Sequence, residues 1–113
     1  MSENQVNSAV ASANGGANAT TGYRLPEVKT LQNASKLAIT DDKPILLDYW
    51  TFSLNKQVII GVKQDNEKLL VKSEEEYTSP ISKIYKVEKE YIIITENSIY
   101  IIDAGVDTKR ISS

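Results

Sequence analysis

The side chains able to do chemistry in this sequence are few, and two kinds are absent. Its 113 residues include no histidine and no cysteine. That removes the commonest general base and metal ligand, and it removes disulfides and thiolate metal sites. Carboxylates, aromatics and lysines remain. Asp41, Asp42, Asp48 and Asp103 are candidate acids. Paired carboxylates do acid–base work or hold a hard cation such as Mg²⁺ or Ca²⁺. Their spacing matches no calcium loop, however, and aspartates at strand ends ordinarily form turns. Glu74-Glu75-Glu76 reads as a solvated loop or as an electrostatic contact with a basic neighbour. Trp50 with Tyr49, Phe52 and Tyr77 are the residue types of an aromatic cage for a methylated lysine, or of a stacking platform for a single strand. Aromatics within an apolar strand also read as plain core. Lys83, Lys86 and Lys89 would make a basic edge but are interrupted by Glu88 and Glu90, and lysines on an outer strand protect it against edge pairing. No glycine-rich phosphate loop or familiar triad is present. The expectation is a protein with no catalytic site, metal, cofactor or small-molecule substrate.

The element that must position any site is Tyr91 to Asp103, Tyr-Ile-Ile-Ile-Thr-Glu-Asn-Ser-Ile-Tyr-Ile-Ile-Asp. It predicts two strands, Tyr91–Ile94 and Ile99–Ile102, joined by a polar corner at residues 95–98. Branched and aromatic side chains suit a pleated surface. The unbroken run Ile92-Ile93-Ile94 predicts a strand covered on both faces. Before it, Leu37–Ile39 reads as a short first strand. Ile45–Phe52 reads as a second with both faces apolar, and Leu54-Asn55 as a turn. Gln57–Lys63 alternates with Val58, Ile60 and Val62 inward and Gly61 on the other face, where it permits close backbone approach or a bulge. Gln64–Glu67 connects to a return strand, Lys68–Lys72, and Ile81–Glu88 follows. The bend at Lys89-Glu90 lacks the glycine that a tight primed turn prefers. The pattern predicts an all-β fold of six to seven short strands without a helix, a small SH3-like meander barrel or a compact sandwich, because closure removes exposed edges.

Composition divides the chain into three parts: an extended arm over residues 1–35, a β domain over 36–103 and a polar tail over 104–113. Met1–Gly22 is built from Ala, Asn, Ser and Gly with Glu3 as its only charge. Alone, such a segment buries too little apolar surface to offset its ordering entropy. It is a solvated tail, or an arm that orders on neighbouring subunits. Residues 23–35 read as an extended connector in which Tyr23, Leu25, Val28 and Leu31 are anchors for the domain's own surface or for a partner. The net charge is −2. Residues 1–43 carry four basic and four acidic side chains and residues 44–113 carry nine and eleven. Neither part has the positive excess of a phosphate-backbone binder, so nucleic acid is not expected. No apolar run approaches the ~20 residues that span a bilayer, and the first residues form no basic-then-apolar leader.

From Lys43-Pro44-Ile45-Leu46-Leu47-Asp48-Tyr49-Trp50 onward the chain resembles a group of small uncharacterised proteins of nucleocytoplasmic large DNA viruses. The likeness continues through Glu67–Lys72, Glu76–Pro80, Lys83–Glu88 and Thr95–Tyr100, covering about residues 36–103. It implies a viral context, made in the host cytoplasm and packaged in the virion. Minor capsid proteins of such particles combine a small β domain with extended arms. The leading expectation is therefore a minor capsid or cement component whose arm binds neighbouring subunits, the major capsid protein or other virion proteins. The rival is a host-facing or regulatory module that grips a peptide or nucleic acid near Trp50 and Tyr77.

Overall fold

Residues 24–111 are described by the structure, a computed structural model. The expected arm Met1–Gly22 and the anchor Tyr23 lie outside the described residues. In chain order the elements are α1 (Val28–Asp41), β1 (Ile45–Leu46), α2 (Trp50–Leu54), β2 (Ile59–Val62), β3 (Lys68–Val71), β4 (Ile81–Val87), β5 (Glu90–Thr95), β6 (Ile99–Asp103) and β7 (Asp107–Arg110). The strands form two sheets, one in the order β1-β6-β5-β4 and the other β3-β2-β7. The fold is mostly β, with seven short strands as its sequence predicts. The two sheets pack as a sandwich, and helices add a third layer.

The isoleucine hairpin lies at the centre. β5 and β6 pair antiparallel with Ile92 opposite Ile101, Ile93 opposite Tyr100 and Ile94 opposite Ile99. Successive side chains point to opposite faces of a strand, so one isoleucine run serves two cores. Ile92, Ile94, Ile99 and Ile101 pack with Ala34 of α1 and Trp50 of α2. Ile93 and Ile102 pack with Ile60 and Leu70 of the smaller sheet, and with Tyr49, Val58 and Val106. Six isoleucines of this hairpin are buried to 2% exposure or less, each contributing about 1.5–3 kcal/mol. The polar corner satisfies itself: the Thr95 amide donates to the Ser98 carbonyl at 2.9 Å and the Ser98 amide donates to Thr95 Oγ1 at 3.2 Å.

Several local expectations are corrected. Leu37–Ile39 is not a strand, and residues 28–35 are not an extended connector, because α1 runs unbroken across both. Thr30, Ala34, Leu37 and Ala38 share the helix face that turns to the core, a spacing that short windows of Leu and Ile conceal. Asp42 ends the helix in the left-handed region at φ 56°, which aspartate tolerates better than most residues, and Pro44 follows. Residues 45–52 do not form one strand either. After Leu46 the chain turns and enters α2, whose inward residues Trp50, Ser53 and Leu54 are three and four apart. The bend expected at Lys89-Glu90 is a two-residue turn at Glu88-Lys89 with Glu88 at φ 55°, and Val87 pairs with Glu90. The expected polar tail contains β7, which pairs parallel with β2. β1 likewise pairs parallel with β6, so only β4-β5-β6 is a meander.

Candidate functional site

Three constellations emerge where these elements meet. The first ties the start of the described chain to the central hairpin. Glu90 and Asp103 face each other across β5 and β6, a like-charge pairing that is destabilising unless a cation bridges it. Arg24 supplies that cation. Its guanidinium donates to Glu90 Oε2 at 2.7 Å and approaches Asp103 Oδ1 at 3.4 Å. The Glu90 side chain is fully buried and also accepts the Glu27 amide at 3.0 Å. The Arg24 guanidinium stacks over Trp50 at 5.1 Å while the indole Nε1 donates to the Arg24 carbonyl at 2.6 Å. Every charge in this clasp has a partner, so it ties residues 24–27 to the central hairpin.

The second lies between the sheets. Tyr49 and Tyr100 meet edge to face with ring centroids 5.3 Å apart. The Lys72 ammonium sits over both Tyr49, at 4.6 Å, and Phe52, at 4.5 Å, and reaches Glu76 at 3.5 Å. An aromatic cage of the kind expected for a methylated lysine is thus present in part, and the chain's own Lys72 fills it. Burial pushes the Tyr49 hydroxyl up to about 12, reinforced by Tyr100, Asp48 and Glu76. Burial also raises Tyr100, followed by Asp48, against a lowering hydrogen bond from Ser98. Both phenols stay protonated at neutral pH, so neither supplies a base.

The third is a groove on the outer face of the smaller sheet, about 720 Å³ in volume. Sheets with one solvated face ordinarily alternate apolar inward with polar outward; this sheet does not. Ile60 and Leu70 face the core, yet Ile59, Leu69, Val71 and Ile111 line the groove with Tyr77 at its edge. Gly61 lies at the floor. A Cβ there would stand 2.8 Å from Ile111 Cδ1 and 3.1 Å from Val71 Cγ2, so the glycine lets those side chains close over the strand.

Compared with known proteins, the chain matches no family model, no curated protein and no solved structure.

Of the residues singled out in the sequence, Leu25 and Val28 are exposed near the start of α1, and Leu31 packs part-buried against the helical core. Trp50 is 4% exposed and belongs to the core and the clasp, with its ring closed to partners. Tyr77, 59% exposed, stands at the groove. Trp50 and Tyr77 are therefore not brought into one aromatic surface. Asp42 caps α1, Asp48 is exposed in the turn before α2, and Asp103 belongs to the clasp. No three acidic side chains converge on a metal position among the described residues. Lys83 and Lys86 are exposed on β4, at the edge of the larger sheet. Sequence reasoning missed Arg24, Glu90 and the groove. The signal for the groove was Leu69-Leu70-Val71 and Ile59-Ile60, apolar on both faces of short strands.

Proposed function

We propose that this domain is a protein-binding component of a multi-subunit assembly, and that the outer face of the β3-β2-β7 sheet is its partner surface. The supporting observation is the groove: Ile59, Leu69, Val71 and Ile111 form an apolar floor of the kind covered elsewhere in this fold. A concave trough with an apolar floor is the form a binding site ordinarily takes. The clasp at Arg24 adds a fixed point of attachment for the stretch before it, which suits an arm that engages neighbours. The narrower reading, a minor capsid or cement component of a large DNA virus, draws on the resemblance of residues 36–103 and predicts that the protein copurifies with particles.

Amide hydrogen exchange on the isolated protein and on its native assembly tests the broader reading. Added protection at residues 68–77 and at Ile111 is the expected result. Protection confined to residues 1–35 moves binding to the arm and removes the groove from the proposal.

A further inference from the structure

We infer that the protein self-associates through the free edge of β7, which pairs antiparallel with β7 of a second copy. This does not depend on what occupies the groove. In the order β3-β2-β7, β7 has β2 on one side and no strand on the other among the described residues, and all four of its residues are exposed. The Ile111 amide donates to the Val62 carbonyl at 3.0 Å. Backbone groups alternate sides along a strand, so Asp107 and Lys109 also turn theirs to β2, while Thr108 and Arg110 each offer an N–H and a C=O to the open edge. A two-fold pairing of identical strands is centred on a residue that lies opposite its own mate. Centring on Asp107, Lys109 or Arg110 sets like charges face to face, which is destabilising. Centring on Thr108 instead sets each Asp107 opposite Lys109 of the second copy and the two threonines opposite each other, pairs that stabilise a ladder. Neither Asp107 nor Lys109 takes part in an ion pair among the described residues. The remaining charge of the strand, Arg110, is turned back on its own chain, with Nη1 donating to the Lys63 carbonyl at 3.2 Å and Nη2 to Asn66 Oδ1 at 3.3 Å. The other strand edges lack this self-complementarity. β3 is already flanked through the Val71–Tyr77 bridge and the Thr78 amide, which donates to the Leu70 carbonyl at 2.9 Å. β1 has only two residues. β4 carries Lys83 and Lys86 with no acid between Ile81 and Val87, the pattern of an edge protected from pairing. Joining two β7 strands makes a six-stranded sheet. Asp107 and Lys109 lie beside Ile59 and Gly61, on the face of the groove, so the two-fold axis brings both grooves to one side of that sheet.

A pairing this short buries less than a standard interface, so the dimer is weak, with a Kd on the order of 100 µM. Sedimentation equilibrium of the full-length protein between roughly 10 µM and 1 mM should detect it. Asp107→Lys and Lys109→Asp should each weaken association about tenfold or more, because each puts two like-charge pairs in place of two opposite ones. Mixed in equal amounts, the two variants should form a heterodimer, in which every lysine again faces an aspartate. Thr108→Pro should abolish association and keep the fold, since the Thr108 N–H faces away from β2 and edge strands accept proline there. The charge variants answer the question even if that proline loosens β7. The register has its own readout. The chain has no cysteine, and Thr108→Cys puts two thiols on residues about 5.5 Å apart at Cα, a separation that a disulfide spans. Lys109→Cys sets its two mates farther apart than a disulfide reaches. Oxidation should therefore crosslink the first variant and not the second. A protein that stays monomeric throughout the concentration range overturns the inference, as does a dimer indifferent to the charge variants and to Thr108→Pro. Slow exchange of the Thr108 and Arg110 amides that does not depend on concentration also overturns it, and assigns the edge to a segment of the chain itself.

Discussion

The two sheets share a core yet differ in how they are finished. The central hairpin β5-β6 of the larger sheet is sealed on both faces, by helices against Ile92, Ile94, Ile99 and Ile101 and by the smaller sheet against Ile93 and Ile102. The β2-β3 hairpin of the smaller sheet is covered on one face, and its other face carries the apolar groove of Ile59, Leu69, Val71 and Ile111. A sheet designed for water on its outer side would place polar residues where Ile59 and Val71 stand. The difference teaches that apolar composition alone does not mark a core. Only the topology shows which apolar face already has its cover.

Mutations at matched positions sharpen the contrast. Ile93→Ala should cost about 3–4 kcal/mol in urea unfolding, whereas Ile59→Ala should cost under about 1 kcal/mol. Equal losses would mean that the outer face is as firmly packed as the centre. The clasp comes next. Arg24→Ala strips the cation from a fully buried carboxylate and should cost about 2–4 kcal/mol. Adding Glu90→Gln to that variant should return about 1 kcal/mol or more, because removing both charges is milder than orphaning one. If the double variant is the less stable, the pairing described at Glu90 is wrong. A smaller effect, of opposite sign, is expected within the helical cover. Thr30 is buried and its hydroxyl finds no hydrogen-bond partner among the described residues, so Thr30→Val should raise thermal stability by about 1 kcal/mol.

The last prediction is silent at neutral pH. Tyr49, at the seam between the sheets, has its hydroxyl pushed from 10.0 up to about 12. A raised folded-state value favours the protonated form. The resulting stability is fully present below pH 10 and is lost as pH rises towards about 12. Alkaline unfolding followed by tyrosinate absorbance should be shallower across that window in Tyr49→Phe. An unchanged profile would place the titrating group elsewhere.

The hairpin at the centre was legible because six isoleucines with strand-ending turns leave little else to form. Its two-sided burial followed from Ile92-Ile93-Ile94 alone. α1 was not legible in short windows, since Leu37-Ala38-Ile39 favours a strand locally and only Thr30, Ala34 and Leu37 together reveal the helical face. β7 escaped because both of its faces are solvated, which leaves Asp-Thr-Lys-Arg no apolar period; Val106 and Ile111 at its ends were the only hints. Of the candidate site residues, Tyr77 stands at the groove and Trp50 does not. The carboxylate pair at the clasp depends on cross-strand register, and no single segment contains that information.

The parallel pairings carry a kinetic consequence. β1 meets β6 at Ile45 and Ile99, and β2 meets β7 at Ile59 and Asp107, joining positions separated by nearly half of the chain. Such distant closures slow the search for the native topology, to folding times on the order of milliseconds to seconds. On the ribosome, the β2–β3 hairpin is complete long before Asp107–Arg110 is synthesised. In that interval β2 presents a free edge beside an apolar surface, the condition under which a nascent chain pairs with a stranger.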